Sequence, residues 1–382
     1  MSVPNRTVER GKDFKMKINV LRTDLSEAVS NVSRAVSTKA AIPALEGILV
    51  KAYGQKLSVS GYDLEIGINT SIDATVQKEG EIVVSAKLFS DIVRKLPEEV
   101  VCIETDDRMI TYITSGQAEY QIVGLSSVEY PDLPTFEETD NVEIKGEILK
   151  EMIRQTVYAV SDNNAKPVYT GSLFELSEKT FRIVSVDGYR MAIRKESIDN
   201  EIESEFVVPG KTQQEVLKLI KDDDENVEMS IGQRHIMFKI GEYSIISRLI
   251  EGTFLDYKST IPKDKKTEVV VNTRMIINAV DRMSLLNGDK IQSPVRCLFS
   301  NDEIHFSCTS AIGKANDVIS CPVMGDEVEI GFNNRYLLEA LRNIDTDEVK
   351  ITLNGGLSPM IITPVKGDSF ISLVVPMRLS NG

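Results

Sequence analysis

Clustered carboxylates are the first residues in this sequence that could do chemistry. The run Lys221-Asp222-Asp223-Asp224-Glu225 offers the oxygen ligands that Mg²⁺ and Ca²⁺ prefer. Acidic residues also follow a predicted helix in two other places, Pro97-Glu98-Glu99 and Asp345-Thr346-Asp347. An acidic turn that recurs at equivalent places indicates a structural element of the fold, and none of the three turns has the ligand spacing of a calcium loop. We therefore predict no metal and no cofactor.

Acid–base and nucleophilic groups are sparse. The two histidines, His235 and His305, lie in alternating strand-like runs without a nucleophile motif nearby, so we interpret both as structural. The cysteine spacings match neither a zinc site nor a disulfide framework, and we expect buried thiols at Cys102, Cys297, Cys308 and Cys321. No catalytic residues are predicted, although an α+β enzyme with Asp63 and Asp187 in one cleft stays open as an alternative.

Charge is distributed unevenly along the chain. The 44 Lys+Arg against 58 Asp+Glu give a net charge of -14, which argues against a protein that simply coats nucleic acid. Six predicted amphipathic helices nevertheless carry a net positive charge when they are counted together, at 24–36, 87–96, 147–160, 211–221, 273–286 and 334–343. Each apolar stripe should bury against a sheet, so the opposite faces present Arg34, Lys87, Arg94, Lys150, Arg154, Lys211, Lys218, Arg274, Arg282, Arg335 and Arg342. For a single helix this pattern is also typical of an ordinary solvated face, but a shared basic surface would attract a polyanion.

These helices belong to a repeat with a period of about 125 residues. Residues 25–37, 149–161 and 275–287 share one helical pattern, and the segments that begin at Ala86, Gly210 and Asn333 share another. Alternating strands surround both helices in each copy, and hairpin turns are predicted at Ser60-Gly61 and Asp187-Gly188. The sequence therefore predicts an α+β fold of three similar domains at 16–139, 140–267 and 268–382. We exclude residues 1–15 as a disordered or non-native extension.

No segment reaches the roughly 18 consecutive apolar residues of a membrane-spanning helix. The polar residues 1–15 also lack the apolar stretch of a signal peptide. We expect a cytoplasmic protein with no membrane partner.

Five motifs, taken in order, resemble the bacterial DNA polymerase III beta subunit family, the sliding clamps. They are Ser60-Gly61-Tyr62-Asp63-Leu64-Glu65, Val186-Asp187-Gly188-Tyr189-Arg190-Met191-Ala192, Glu251-Gly252-Thr253-Phe254-Leu255-Asp256-Tyr257, Ile330-Gly331-Phe332-Asn333 and Val375-Pro376-Met377-Arg378-Leu379. The resemblance runs from Met16 to Leu379. It implies a head-to-tail homodimeric ring, with helices lining a hole around duplex DNA and antiparallel sheets outside.

The resemblance also implies where partners bind. DNA would touch Lys39, Asn163, Asn164 and Lys211 in addition to the helix cations. A groove for short hydrophobic peptides would be lined by Tyr169, Val186, Gly188, Tyr189, Arg190, Met191, Leu255, Thr260, Leu373, Val375, Pro376, Met377, Arg378 and Leu379. Some family members have proline and arginine where this chain has Leu255 and Ser259, which bears on peptide preference. Dimer contacts would include Tyr120, Ile122, Leu285 and Leu286, with ordinary core burial as the alternative.

The implied function is that of a non-catalytic processivity factor. Contacts to phosphate carry no base information, so a basic lining would hold duplex of any sequence and let it slide. Expected partners are double-stranded DNA, a second copy of the chain, the DNA polymerase III catalytic subunit, the clamp loader complex, and other polymerases and repair proteins with clamp-binding peptides. The expected location is the cytoplasm, in association with the nucleoid. Besides the enzyme, a monomeric interaction scaffold that does not bind DNA is the remaining alternative.

Overall fold

The computed structural model describes residues 14–135, 140–221, 226–286 and 293–379. The predicted extension lies outside the described residues except for Phe14 and Lys15, which already belong to the first strand. The acidic residues 222–225 also lie outside them.

The helices are α1 (Arg22–Val32), α2 (Ala86–Arg94), α3 (Gly146–Val157), α4 (Gly210–Leu219), α5 (Tyr257–Thr260), α6 (Thr273–Ser284) and α7 (Asn334–Arg342). The strands are β1 (Phe14–Leu21), β2 (Gly47–Tyr53), β3 (Lys56–Tyr62), β4 (Ile66–Lys78), β5 (Gly80–Ser85), β6 (Val100–Asp106), β7 (Ile110–Ser115), β8 (Ala118–Val123), β9 (Asp140–Lys145), β10 (Gly171–Ser177), β11 (Thr180–Val186), β12 (Arg190–Ser197), β13 (Ser204–Pro209), β14 (Asn226–Ile231), β15 (His235–Ile240), β16 (Tyr243–Arg248), β17 (Thr267–Asn272), β18 (Val295–Ser300), β19 (Glu303–Ser310), β20 (Gly313–Ser320), β21 (Val323–Gly325), β22 (Val328–Phe332), β23 (Glu348–Leu353), β24 (Met360–Pro364) and β25 (Phe370–Val374).

The six predicted helices are present with slightly different ends. The first begins earlier than predicted, at Arg22, and gives way after Val32 to a 3-10 turn, Ser33–Ala35. Each uses its apolar stripe for burial; α2, for example, buries Ala86, Phe89, Ile92 and Val93. The short helix α5 was not predicted, because four residues are too few to show a helical period.

The chain divides into two compact units, the first made of residues up to 146 with 218–248, the second of 147–217 with 249 onward. In the first unit a twelve-stranded sheet runs β8-β7-β6-β1-β4-β16-β15-β14-β9, with β2, β3 and β5 attached. In the second, a nine-stranded sheet runs β13-β10-β11-β12-β25-β24-β23-β17-β21, and a four-stranded sheet runs β20-β19-β18-β22. The boundaries of the three predicted domains remain a prediction.

Two equivalent antiparallel joints link successive repeats of the sequence. In the first unit β16 pairs with β4, for example Ile245 with Ile68. In the second unit β25 pairs with β12, for example Leu373 with Met191. Both joints use the same two strands of the repeat, since β12 lies about one period after β4 and β25 about one period after β16. Each sheet is therefore continuous from one repeat into the next.

The predicted turn at Ser60-Gly61 is wrong. Gly61 lies inside β3, and the chain turns instead at 63–65, where Leu64 has a φ of 75°. A Cβ atom at Gly61 would lie 2.1 Å from the carbonyl oxygen of Val32, so this glycine allows α1 to approach the sheet closely. The second predicted turn, at Asp187-Gly188, is confirmed, with a φ of 92° at Gly188.

Candidate partner pocket and nucleic-acid interface

A cavity of about 540 Å³ lies within the second unit, between the β11–β12 turn and the start of α7. Its walls come from three separated parts of the sequence: Val160, Ser161, Asp162, Asn163, Ala165, Lys166, Tyr169, Asp187, Gly188, Tyr189, Arg190, Arg335 and Tyr336. The lining combines aromatic faces with charged groups, which is typical of a site that binds a ligand with both apolar and polar parts.

The β11–β12 turn owes its shape to Asp187. Its Oδ1 atom accepts hydrogen bonds from the backbone N–H groups of Tyr189 at 2.8 Å and Arg190 at 3.0 Å. The positive φ at Gly188 completes the turn without a side-chain penalty. In this turn Tyr189 points outward, and 60% of its surface is exposed.

Arg190 is buried at the cavity wall, and its guanidinium binds two carboxylates. Its Nε atom donates to Asp187 Oδ2 at 2.9 Å, and its Nη1 atom donates to Glu339 of α7. Its guanidinium lies 4.7 Å from the ring centre of Tyr336 and 5.4 Å from that of Tyr158. Burial raises the pKa of Tyr158 to about 12. Arg190 thus holds the turn and α7 together and is a positioning residue of the cavity.

Tyr336 of α7 also lines the cavity. Its ring stacks on that of Tyr189, with 5.8 Å between ring centres and 19° between ring planes. Glu339, one turn further along α7, also accepts a hydrogen bond from Arg335 Nε at 3.0 Å. Burial alone would raise the pKa of Glu339, but hydrogen bonds from Arg190 and Arg335 lower it below its ordinary value. The carboxylate therefore stays ionised beside the cavity.

Several of the remaining predicted groove residues belong to an apolar cluster that shares Tyr169 with the cavity lining. A buried apolar cluster contains Val186, Met191 and Leu373, with Tyr169, Leu255 and Val375 packed against it. The chain end is held by backbone bonds, Val375 N–H to the Tyr189 oxygen and Met377 N–H to the Gly331 oxygen, both at 2.8 Å. Pro376 and Leu379 are partly buried, whereas Arg378 and Thr260 are exposed.

A second buried carboxylate, that of Glu175, binds a residue of the apolar cluster that contributes to the groove. Glu175 of β10 accepts hydrogen bonds from Tyr257 Oη at 2.6 Å, Lys258 Nζ at 2.9 Å and Arg182 Nη1 at 3.0 Å. Burial alone would raise the pKa of Glu175, but the bonds from Tyr257 and Lys258 lower it. Tyr257 begins α5, the helix that carries Thr260, so Glu175 fixes this short segment against the sheet.

Sequence reasoning missed part of the cavity and assigned other parts differently. Tyr336, Lys166 and Asp187 were not predicted as groove residues, although all three line it. Arg335 and Asn163, predicted to contact DNA, also line it. The sequence offered a signal only for Asp187, which lies inside the conspicuous Asp187-Gly188 turn, because the other contacts join distant segments.

The predicted helix cations are largely solvent-facing, but many are paired. Carboxylates of the same unit neutralise five arginines: Arg94 with Asp91, Arg154 with Asp345, Arg282 with Asp317, Arg335 with Glu339 and Arg342 with Asp281. Arg34, Lys150, Lys211 and Lys218 also have partners. Lys39, Lys87 and Arg274 are exposed and form no ion pair within the described part of the chain. Asn164 lies in the same exposed loop as Asn163.

Two sheet edges carry exposed apolar residues. In the first unit β8 pairs only with β7 among the described strands, and Val123 on it is 78% exposed. In the second unit β20 pairs only with β19 among them, and Val318 on it is 47% exposed. Of the predicted dimer contacts, Tyr120 and Leu285 are exposed, while Ile122 is buried and Leu286 packs partly against the core.

The alternative of catalytic carboxylates finds no support in the geometry of these groups. Asp63 accepts backbone N–H bonds from Glu65 and Ile66, as Asp187 does from its own turn, so both carboxylates shape hairpins. Among the described residues no three His, Cys, Asp or Glu side chains are grouped as a metal site. No helix in the described ranges is long and apolar enough to span a membrane.

Comparison with known proteins places this arrangement in a family. The sequence matches the DNA polymerase III beta subunit N-terminal domain at residues 16–134, its central domain at 143–256 and its C-terminal domain at 258–378. The beta sliding clamp of Bacillus subtilis is 34% identical over 376 residues, which cover 95% of this chain and 100% of that protein. The beta sliding clamp of Halalkalibacterium halodurans is 33% identical over 365 residues, or 92% and 96%.

Solved structures agree. The crystal structure of the Bacillus subtilis DNA polymerase sliding clamp superposes with a TM-score of 0.93 at 34% identity, covering 96% of this chain and 100% of that one. A putative DNA polymerase III beta subunit from Eubacterium rectale gives 0.91 at 35% identity, covering 95% and 99%. The fold is thus an α+β arrangement of three similar clamp domains. The chain belongs to the DNA polymerase III beta subunit family, the beta sliding clamps, and the predicted fold class and non-catalytic clamp function are confirmed.

Proposed function

We propose that two copies of this protein close into a ring around duplex DNA and tether a DNA polymerase to it. The observation that carries the proposal is the repeated strand joint. Within the chain β16 joins β4, and β25 joins β12. The equivalent strands left over are β8 of the first repeat and β20 of the third, and each is a sheet edge. A third joint of the same kind, made between β8 of one copy and β20 of another, pairs the backbone N–H and C=O groups that both edge strands present.

The charge pattern supports loose, sequence-independent contact with DNA. Five of the predicted DNA-facing arginines already pair with carboxylates, so a phosphate must compete for each of them. Exposed ion pairs of this kind contribute only about 0–1 kcal/mol, so they exchange readily. Such a surface attracts the backbone without holding it at one position, and retention then depends on the closed ring.

The cavity beside Tyr189 and Tyr336 supports binding of partner segments. The exposed ring of Tyr189 and the partly buried rings of Tyr169 and Tyr336, next to a buried apolar cluster, suit short peptides with apolar side chains. We assign this role to the predicted groove, with the polymerase, the clamp loader and repair proteins as its users. The predicted DNA, groove and dimer residues form part of this proposal.

Light scattering and DNA retention test the ring. One chain has a mass of 42.5 kDa, and the purified protein should have twice that mass. After loading by its partner complex onto a nicked circle, it should remain bound in high salt and should leave when the circle is cut. Equal loss from circular and linear DNA would reject topological retention, and a monomer mass would favour the scaffold alternative.

A further inference from the structure

One arginine that was predicted to face DNA reaches a sheet edge through a carboxylate. Arg282 of α6 donates from Nε to Asp317 Oδ2 at 2.7 Å, and its Nη2 atom donates to the same oxygen. The other carboxylate oxygen, Oδ1, accepts the backbone N–H of Val318 at 2.9 Å. Asp317 and Val318 are consecutive residues of β20, which pairs only with β19 among the described strands. The carboxylate therefore joins α6 to the backbone of an edge strand.

Asp317 lies near the middle of β20, on the face that packs toward the core. Residues 314, 316, 318 and 320 are exposed, whereas 313, 315, 317 and 319 are less so. Alternate residues of a strand point to opposite faces, so Asp317 shares a face with Ile319. Ile319 is 3% exposed and belongs to the same buried cluster as Met283 of α6. The side chain of Asp317 is only 23% exposed, which shields its pair with Arg282 from solvent.

A second ion pair on α6 provides a comparison. Asp281 binds Arg342 Nη2 of α7 at 2.8 Å, and the two side chains are 54% and 53% exposed. Arg282 has nearly the same exposure as Arg342, at 55%. This second pair joins one helix to another and touches no edge strand. The two pairs thus differ mainly in what they hold in place.

We infer that Arg282 acts through Asp317 as a positioning residue for ring closure. An edge strand has backbone hydrogen bonds on one side only, so the shape of its free side depends on its side-chain contacts. The pair fixes the middle of β20 against α6 in the shape that β8 of a second copy then meets. The inference rests on the proposed ring, and it moves Arg282 from the DNA-binding set to the support of the joint.

Sedimentation of the labelled, full-length protein over a dilution series at low salt gives the dimer dissociation constant. This constant should rise about fivefold in Arg282→Gln and in Asp317→Asn. The double variant should show the same rise as either single variant, because all three lack the same pair. Arg282→Lys should recover part of the loss, since lysine keeps the charge but not the planar fork of donors. Arg342→Gln removes the comparison pair and should leave the constant unchanged.

Salt separates an effect of charge from a packing defect. At about 1 M salt the variants and the unmodified protein should have the same dissociation constant, and a difference that persists there would reject the role of the ion pair. Equal constants at low salt would reject the positioning role and leave the ring in place. A monomer at every concentration of the unmodified protein would reject the ring itself and the inference with it.

Binding of linear duplex distinguishes the two assignments of Arg282. A loss of duplex affinity in Arg282→Gln with an unchanged dimer constant would return this residue to the DNA-binding set and overturn the inference. Asp317→Asn keeps the size of its side chain, so the test does not depend on Arg282→Gln alone. Circular dichroism of each variant reports whether the fold is retained.

Discussion

Replacing Glu175 by glutamine should loosen the segment that borders the partner groove. Glu175 is 7% exposed and accepts hydrogen bonds from Tyr257, Lys258 and Arg182. The pair with Lys258 contributes little, because that lysine side chain is 64% exposed. The buried bond from Tyr257 to a charged acceptor is worth about 1.5–3 kcal/mol, and glutamine keeps only a neutral acceptor. Because a neutral bond is worth about 0.5–1.5 kcal/mol, we expect α5 to lose about 1.4 kcal/mol of local stability.

Hydrogen exchange measures this local loss directly. Backbone amides of residues 257–261 should exchange about tenfold faster in the Glu175→Gln variant, which corresponds to the loss estimated above. Peptide affinity at the groove should fall with it, because α5 carries Thr260 and follows Leu255. The matched control is Glu201→Gln, which breaks an ion pair with Lys179 whose side chains are 86% and 60% exposed. Unchanged exchange in the Glu175 variant would refute the positioning role.

The same carboxylate gives a pH dependence whose sign follows from its pKa. The pKa of Glu175 is lower in the folded protein than its ordinary value, so the unfolded chain binds more protons. The stabilisation is fully present above about pH 5 and is lost as the pH falls through the folded pKa. Exchange at 257–261 should therefore rise on acidification, after correction for intrinsic rates, in the unmodified protein and not in Glu175→Gln.

Three further predictions concern the groove, the ring and the DNA-facing helices. Deletion of residues 377–382 should abolish polymerase stimulation and leave the dimer mass intact; unchanged stimulation would clear this segment of a partner role. Val123→Asp places a charge on the exposed β8 edge and should convert the dimer to monomers by light scattering, while a persistent dimer would contradict the β8–β20 joint. Asp281→Asn releases Arg342 from its carboxylate and should strengthen binding to linear duplex and steepen its salt dependence. Gel-shift titrations over a salt series would contradict this prediction if the salt dependence of binding were the same for Asp281→Asn and for the unmodified protein.

Local pattern was sufficient for much of the fold. Helix positions followed from apolar periodicity, which is set by burial of one face, and the repeat identified equivalent segments. Prediction from local pattern was wrong at Gly61. A glycine can be required either by a positive φ or by a close approach of another element, and only the position of α1 over β3 distinguishes these two reasons. The helix α5 is too short to have a period at all.

What the sequence determined by itself is the repeated architecture, the family and the polar faces of the helices, since each depends on residues close together in the chain. The tertiary structure alone decided which carboxylates neutralise those faces, as Asp345 does for Arg154, and which aromatic ring completes the cavity, as Tyr336 does beside Tyr189. The physical reason is that ion pairs and stacking act over a few ångströms in space. Groups that are far apart in the sequence come within that range only when the chain folds, so their spacing in the sequence does not reveal the contact.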